Sequence, residues 1–534
     1  MSFIRVEKKK SGNYLRILES YRDDRGKNTH RILHNLGKVE DYTPEQLKKI
    51  GLKFYQLAGG DIKELLGSGV TELGRYNYGY QQVYGKALEN FKLDQLFNRI
   101  QRRGKFQFSL FNTLKLMCLE RLQEPCSKLQ NYKHQLEYIN LPSIELHQIY
   151  RSLDQLAKYQ EQIQKEIFFT SRDLFNRKLD VVFYDVTTFY FDSEVEKEGE
   201  LRQMGFGKDG KIGKTQVLFS MMIDKEGNPV GYKVFSGDSY EGHTFEEALN
   251  DLRKRYEIDK VIVVADRGML SKSNIEKTVE NGYDYIIGER LRSLSKDIQQ
   301  QLLDRSAYKQ EWIYLDNQDQ KISMLYTTLT VGDKTIISTY SDKRAKKDSQ
   351  DRLKKIEKAS KLLNNPSSLK SKPNRYFIKS SNDKYELDMG KIKKDEQFDG
   401  FIAISTNTHI DAKDVLEQYK QLYKIEHSFR TLKAHLEIRP MFHWTDKRIE
   451  GHICMCYIAF TLQNWVLKKI NKTKQIMSEK TLRETLDKMQ LSHLKSGEDE
   501  FYIRSTPYNN QNLMLANLGI KELQPLIPID SFKL

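Results

Sequence analysis

The sequence predicts an α/β protein: a mixed sheet flanked by helices, interrupted by a largely β insertion and preceded by a β arm and a helical domain. Three observations predict it. Between residues 177 and 290, three strand-like runs are followed by helix, strand, helix, strand, the order expected when antiparallel strands give way to parallel ones joined through helical crossovers. Residues 291–405 return to short β runs around one basic helix. From residue 406 to 470 an amphipathic helix and then a long apolar one resume the core, and a mixed, polar C-terminal region, 471–534, says little.

Composition narrows the partners. The chain has 534 residues, with 88 Lys and Arg against 73 Asp and Glu, a formal charge of +15. So large a positive charge favours a polyanion, nucleic acid first and an anionic membrane second. A membrane partner is not expected, because no apolar run approaches the ~20 residues a span needs. The opening MSFIRVEKKK lacks the apolar core of a signal peptide. Four cysteines (Cys118, Cys126, Cys454, Cys456) are too few for a disulfide framework and lack zinc-site spacing. A reducing cytoplasm fits.

Taken in order, residues 1–60 form a basic arm, with β character at Tyr14–Leu18 and His30–Leu33 and a turn at Asp23–Lys27. It either touches nucleic-acid backbone or is a solvated hairpin. Thr43–Ala58 is helical, with Thr43, Pro44 and Glu45 at its start. Residues 61–176 read as a helical, DNA-binding domain, clearest at Ser109–Leu122 and Ser152–Phe169, in which some helices serve packing alone. The core strands are Leu179–Phe191, Thr215–Ile223, Val230–Phe235, Lys260–Ala265 and Tyr283–Gly288, with helices at Thr244–Tyr256 and Ser273–Asn281. Glu241 and His243 cap the first of these helices or lie near a site. The basic helix of the insertion, Asp342–Asn364, either tracks DNA or is a solvated face.

Three carboxylates stand where propensity disfavours them. Asp185 lies inside LDVVFYDVTTFYF, where alternation puts Phe183 and Thr187 on its face and Tyr184 and Val186 on the other. Asp266 ends the apolar run KVIVVA, at the strand end where open α/β sheets hold their chemistry. Glu426 lies in QYKQLYKIEHSFRTLK. Helical spacing sets it on one face with Val415, Tyr419, Leu422, Phe429 and Lys433, a charge in an apolar stripe that needs a partner. Singly, each reads plainly as a cap, a turn residue or a boundary ion pair. Together they fall on a strand, a strand end and a helix in the order a ribonuclease-H-like sheet requires, which would gather them at one sheet edge. Clustered carboxylates need a cation to ionise together, and all-oxygen ligands select Mg²⁺ or Mn²⁺. Two such ions about 4 Å apart serve phosphodiester cleavage.

Tyr419, Leu422, Glu426 and Lys433 carry a resemblance. The chain resembles bacterial insertion-sequence DDE transposases of the subgroup whose acidic helix reads Tyr-x2-Arg-x3-Glu-x6-Lys, with Leu422 at the arginine position. Asp185–Thr188 and Val264–Gly268 resemble the first two family motifs. The Gly207–Gly210 turn, Glu226–Val230 and the insertion before the third acidic residue are similar too. The resemblance spans about residues 5–465 and its motif order with the insertion is specific, whereas any one motif is not.

It implies that Asp185, Asp266 and Glu426 are catalytic and hold two Mg²⁺ ions, with Mn²⁺ as a substitute. Tyr419 and Lys433 would hold DNA phosphates, and Lys420, Lys424 or Arg430 would stand in for the missing arginine. Arg267 would touch the DNA backbone or form a structural ion pair, and Trp444 would stack on an unpaired base or pack in the core. The implied activity is binding of the element's own terminal inverted repeats, cleavage at its ends, and joining of the 3′-hydroxyls to target DNA. It would proceed in a homodimeric complex on nucleoid DNA of a bacterial cytoplasm. The alternatives are a metal-dependent site-specific nuclease of the same fold, or a non-catalytic DNA-binding derivative. A sugar hydrolase also uses paired carboxylates, but the basic charge counts against it.

Overall fold

The computed structural model describes residues 2–60, 70–104, 106–171, 179–192, 201–205, 214–258, 260–269, 271–315, 320–363, 377–381, 384–472, 474, 477–497 and 499–532. The chain divides into two compact units. One comprises residues 1–75, 491–505 and 523–533; the other holds 76–490 and 506–522.

In the first unit, Ser2–Lys9, Gly12–Arg22 and Asn28–Lys38 form an antiparallel meander. The expected turn is present: the Asp23 carboxylate accepts from the backbone N–H groups of Arg25 and Lys27 at 3.1 and 2.9 Å, and Gly26 supplies φ +72°. The first strand was not expected from the sequence. Ile4 and Val6 on it are exposed, so its apolar residues give no alternation toward a core. Helix Pro44–Leu57 starts with a capping box between Thr43 and Gln46. Strand Val70–Tyr76, inside the segment read as helical, pairs with Leu491–Ser496. That strand continues the sheet through Asp499–Arg504 to Leu526–Pro528. The polar C-terminal region is therefore an ordered sheet partner of residues 70–76.

In the second unit, helices Tyr78–Asn90, Leu110–Gln123 and Leu146–Thr170 pack on Asp446–Ile470. That last helix is buried along nearly its whole length. Among the described residues no helix is long and apolar enough to cross a membrane. The helices of residues 78–170 share a compact unit with the sheet. Their apolar faces are used in packing on the 446–470 helix.

Among the described residues the sheet has ten strands. Its labelled members are β1 (Val181–Tyr190), β2 (Thr215–Asp224), β3 (Pro229–Ser236), β4 (Ile262–Ala265), β5 (Asp284–Glu289), β6 (Gln310–Leu315), β7 (Lys321–Val331), β8 (Lys334–Tyr340) and β9 (Phe401–Thr406). Strands β3, β2 and β1 pair antiparallel, and β1, β4 and β5 pair parallel. The connections run through α1 (Glu241–Tyr256) and α2 (Lys272–Glu280). The order 3-2-1-4-5 with this mixture of directions is a ribonuclease-H-like core. Strands β9, β8, β7 and β6 continue the same sheet beyond β5, all antiparallel. The insertion thus extends the core sheet instead of standing apart from it. Its basic helix, Asp342–Leu363, is anchored by buried Arg352, whose guanidinium grips both oxygens of Asp399.

Alternation along β1 sorts its side chains. Val182, Tyr184 and Val186 join Val263 and Ala265 of β4 in a core under Phe245, Leu249 and Leu252 of α1. Phe183, Asp185, Thr187 and Phe189 face the other side. Phe189 stacks on Phe219 with ring centroids 4.9 Å apart, and Phe219 meets Phe429 at 6.2 Å.

Candidate active site

The two aspartates are neighbours by strand register. Tyr184 of β1 is paired with Ala265 of β4 in parallel, so Asp185 and Asp266, the first residue past the end of β4, follow a paired position on adjacent chains about 4.8 Å apart. Both leave the sheet on the face opposite the α1 core. Asp185 is half-buried, and its Oδ1 accepts from the Val186 N–H at 2.7 Å. Asp266 is exposed, and its Oδ1 accepts from the Arg267 N–H at 2.7 Å at the start of a tight turn.

The segment expected to be one helix is broken. It consists of α3 (Ala412–Lys420), a turn at Gln421 and Leu422, α4 (Tyr423–Arg430) and a π-helical turn at Thr431–His435. The break changes the phase of the buried stripe, which runs through Val415, Leu416, Leu422, Ile425, Phe429 and Leu432. Glu426 is exposed beside this stripe, which corrects the expectation of a carboxylate facing the core. Helix α4 packs on β1 and β2, so Glu426 belongs to the helix lying over the Asp185 face. Among the described residues the three carboxylates do not converge within 4.8 Å. The cluster that does, Glu120, Cys126 and His134, lies on other helices. It is knit by hydrogen bonds from Tyr138 to Glu120 (2.7 Å) and between His134 and Glu120 (2.9 Å).

Tyr419 reaches the pair directly. Its hydroxyl donates to Asp266 Oδ1 at 3.4 Å, and burial, reinforced by Asp266, holds its pKa above the ordinary phenol value. Gly288 makes room for it, which sequence reasoning missed: a Cβ there would lie 2.5 Å from the Tyr419 oxygen. The signal was a glycine near the end of a strand pattern, a mark of close approach. Gly288→Ala would push the ring end away from Asp266. Activity of the site should then fall roughly tenfold, the loss of one hydrogen bond near a charge. Tyr419→Phe should lose as much, and the double variant little more, because both remove one contact. Additive losses in the same activity assay would refute the link.

Leu422 is buried, so the position of the family arginine is a packing site here. Lys420 donates to the Leu315 carbonyl and sits 4.3 Å from the Tyr314 ring centroid. Lys424 is tied to the Lys225 carbonyl and to Gln421 at 2.9 Å, and burial lowers its pKa. Arg430 is exposed, the least constrained of the three expected substitutes. Lys433 is half-buried within the π turn, a feature frequent at functional sites. Arg267 is exposed and makes no ion pair among the described residues. Trp444 is 54% exposed, which excludes the core reading. Buried Arg202 lies between it and Phe191, 4.5 and 4.7 Å from the ring centroids. The Gly207–Gly210 turn and the side chains of Glu241 and His243 lie outside the described residues.

The family model of the transposase DDE domain matches residues 176–462, more than half of the chain. The chain belongs to the DDE transposases. A second model, the N-terminal domain of the IS1634 family transposases, matches residues 4–52 of this transposase, the meander and the start of the following helix. No curated protein matches the transposase. Among solved structures it is similar to a piggyBac transposase in a synaptic complex with hairpin DNA. The identity is 9%, over 79% of this chain and 81% of that one, and the TM-score is 0.37, too low to place any residue.

Proposed function

We propose that this transposase binds the terminal inverted repeats of its own element, hydrolyses the phosphodiester at each end, and joins the freed 3′-hydroxyls to target DNA. The observation that carries this is the register placing Asp185 beside Asp266 on one sheet face under the helix of Glu426. These donors are all carboxylate oxygens, and Asp266 and Glu426 are open to solvent, a set that suits a hard divalent cation. Asp185 and Asp266 would hold two Mg²⁺ or Mn²⁺ ions, with Glu426 completing one site. When bound, the ions supply activation of the attacking oxygen and stabilisation of the leaving one. Tyr419 fixes the orientation of Asp266 by donating to it. Lys433 lies seven residues beyond Glu426, roughly 10 Å along a helix, and would hold a phosphate near the cut, with Arg430 and Arg267 as further backbone contacts.

The chain would act on chromosomal DNA as a homodimer, one protomer for each element end. The test is an incubation of the purified chain with Mg²⁺, a plasmid carrying the element ends and a target plasmid. The expected products are ends with free 3′-hydroxyls and joined donor–target molecules. Cleaved ends without joining would favour the site-specific nuclease instead. Binding without cleavage would favour the non-catalytic derivative.

A further inference from the structure

A cavity of about 410 Å³ opens between the helix Leu110–Gln123, the turn before Lys128 and the segment 437–452. Two cations form its inner wall. Arg121 and Lys128 are 7% and 4% exposed. Arg121 donates to the Leu436, Glu437 and Cys126 carbonyls at 3.2, 3.4 and 3.4 Å, while its Nε has no partner. Among the described residues Lys128 reaches only the Asn131 amide oxygen, at 3.4 Å. Glu120, which contacts the same Asn131, is engaged by Tyr138 and His134. The lining Glu437 is exposed and serves Arg121 through its carbonyl. Two buried cations without a carboxylate are costly, and burial pushes the Lys128 pKa down to about 7. Such a wall facing an open cavity calls for an anion. Arg448 adds a further charge to the lining, held 3.8 Å from Asp154.

The outer wall is aromatic. Phe442 and Trp444 are 74% and 54% exposed, beside Tyr150. Exposed rings next to cations suit a flat ring attached to a phosphate. The cavity also has a fixed place relative to the acidic pair. Met441 bridges to Phe191 just past the end of β1, and its N–H donates to the Tyr190 carbonyl at 3.2 Å. Phe191 lies six residues beyond Asp185, about 20 Å along a strand, or about six nucleotide steps of one DNA strand.

We infer that this cavity is a nucleotide-binding pocket, in which Lys128, Arg121 and Arg448 take a phosphate and Phe442 and Trp444 take the base. That the nucleotide belongs to DNA rests on the transposase reading; the pocket itself does not.

The test is calorimetric titration of the full chain with inorganic phosphate, a deoxynucleoside 5′-monophosphate and a 5′-phosphorylated single-stranded octanucleotide. Lys128→Met should weaken all three at least tenfold while the melting temperature stays equal or rises, because methionine removes a costly buried charge; a lysine with a structural role would lower the melting temperature on replacement. Phe442→Ala, at an exposed position, should weaken the nucleotide and the oligonucleotide several-fold and leave inorganic phosphate unchanged. Tighter binding of the oligonucleotide than of the mononucleotide identifies DNA as the source; equal binding identifies a free nucleotide. Wild-type affinity in both variants overturns the pocket. Asp185→Asn should bind all three like wild type, so a chain that cuts no DNA but binds in this way keeps the pocket and loses the transposase reading. A chain that cuts and joins DNA, but binds no probe, does the reverse.

Discussion

Asp185→Asn will lower Mg²⁺-dependent cleavage of element ends at least about a thousandfold, a loss of about 4 kcal/mol of transition-state stabilisation. Asp266→Asn and Glu426→Gln should fall similarly. By register, Asp185 and Asp266 follow a paired position on parallel strands. Two carboxylates so placed repel unless a cation lies between them. Asparagine keeps the shape and removes one charge, so the Asp185→Asn protein should melt at the wild-type temperature or slightly above it. The metal gives a second readout. A ligand that binds only the folded state raises stability with its concentration. Millimolar Mg²⁺ should therefore raise the melting temperature of the wild type and raise that of Asp185→Asn much less. If Asp185→Asn cuts at the wild-type rate, or Mg²⁺ stabilises both proteins equally, the aspartates are not the metal site.

The two aspartates were legible because their signals are local. One breaks the apolar alternation of a strand and the other ends an apolar run, and strand pairing turned those positions into neighbours. Glu426 was proposed from spacing, and periodicity placed it on the wrong face, since it is exposed. The helix breaks at Gln421 and Leu422, where neither proline nor glycine marks an end, so extrapolating one helical phase carried Glu426 into the stripe. The strand Ser2–Lys9 was hidden by its outward-facing Ile4 and Val6. The pairing of Val70–Tyr76 with Leu491–Ser496 joins segments more than 400 residues apart, which no local pattern encodes. Arg121 and Lys128 carried no signal in the sequence, because their burial depends on the tertiary fold. The same holds for Gly288, whose need to be small comes from Tyr419, far along the chain. Resemblance to a family supplied the proposed roles of Tyr419 and Lys433, which residue chemistry alone left as packing or solvated positions.

Gly451→Ala will lower the melting temperature by a few degrees, although alanine is the better helix former. Gly451 lies in the 446–470 helix where it crosses Leu146–Thr170. A Cβ there would sit 2.1 Å from the Leu153 carbonyl oxygen and 2.7 Å from its carbon. These are backbone atoms, so no rotamer change relieves the clash and the two helices must separate. Overpacking of this kind costs roughly 1–3 kcal/mol, at times more, against about 1 kcal/mol gained from helix propensity. A net loss of up to about 2 kcal/mol corresponds to a few degrees at most for a unit of this size. Gly85→Ala supplies the contrast. Gly85 is also helical, and nothing lies within 4 Å of the point a Cβ would occupy, so propensity acts alone and the melting temperature should rise. Thermal melts of the two variants therefore move in opposite directions if the 446–470 helix crosses its neighbour at Gly451. A rise in both would mean that the crossing is looser than the structure has it. The 446–470 helix begins just after Trp444, so Gly451→Ala should also weaken nucleotide binding in the adjoining cavity, whereas Gly85→Ala leaves it unchanged.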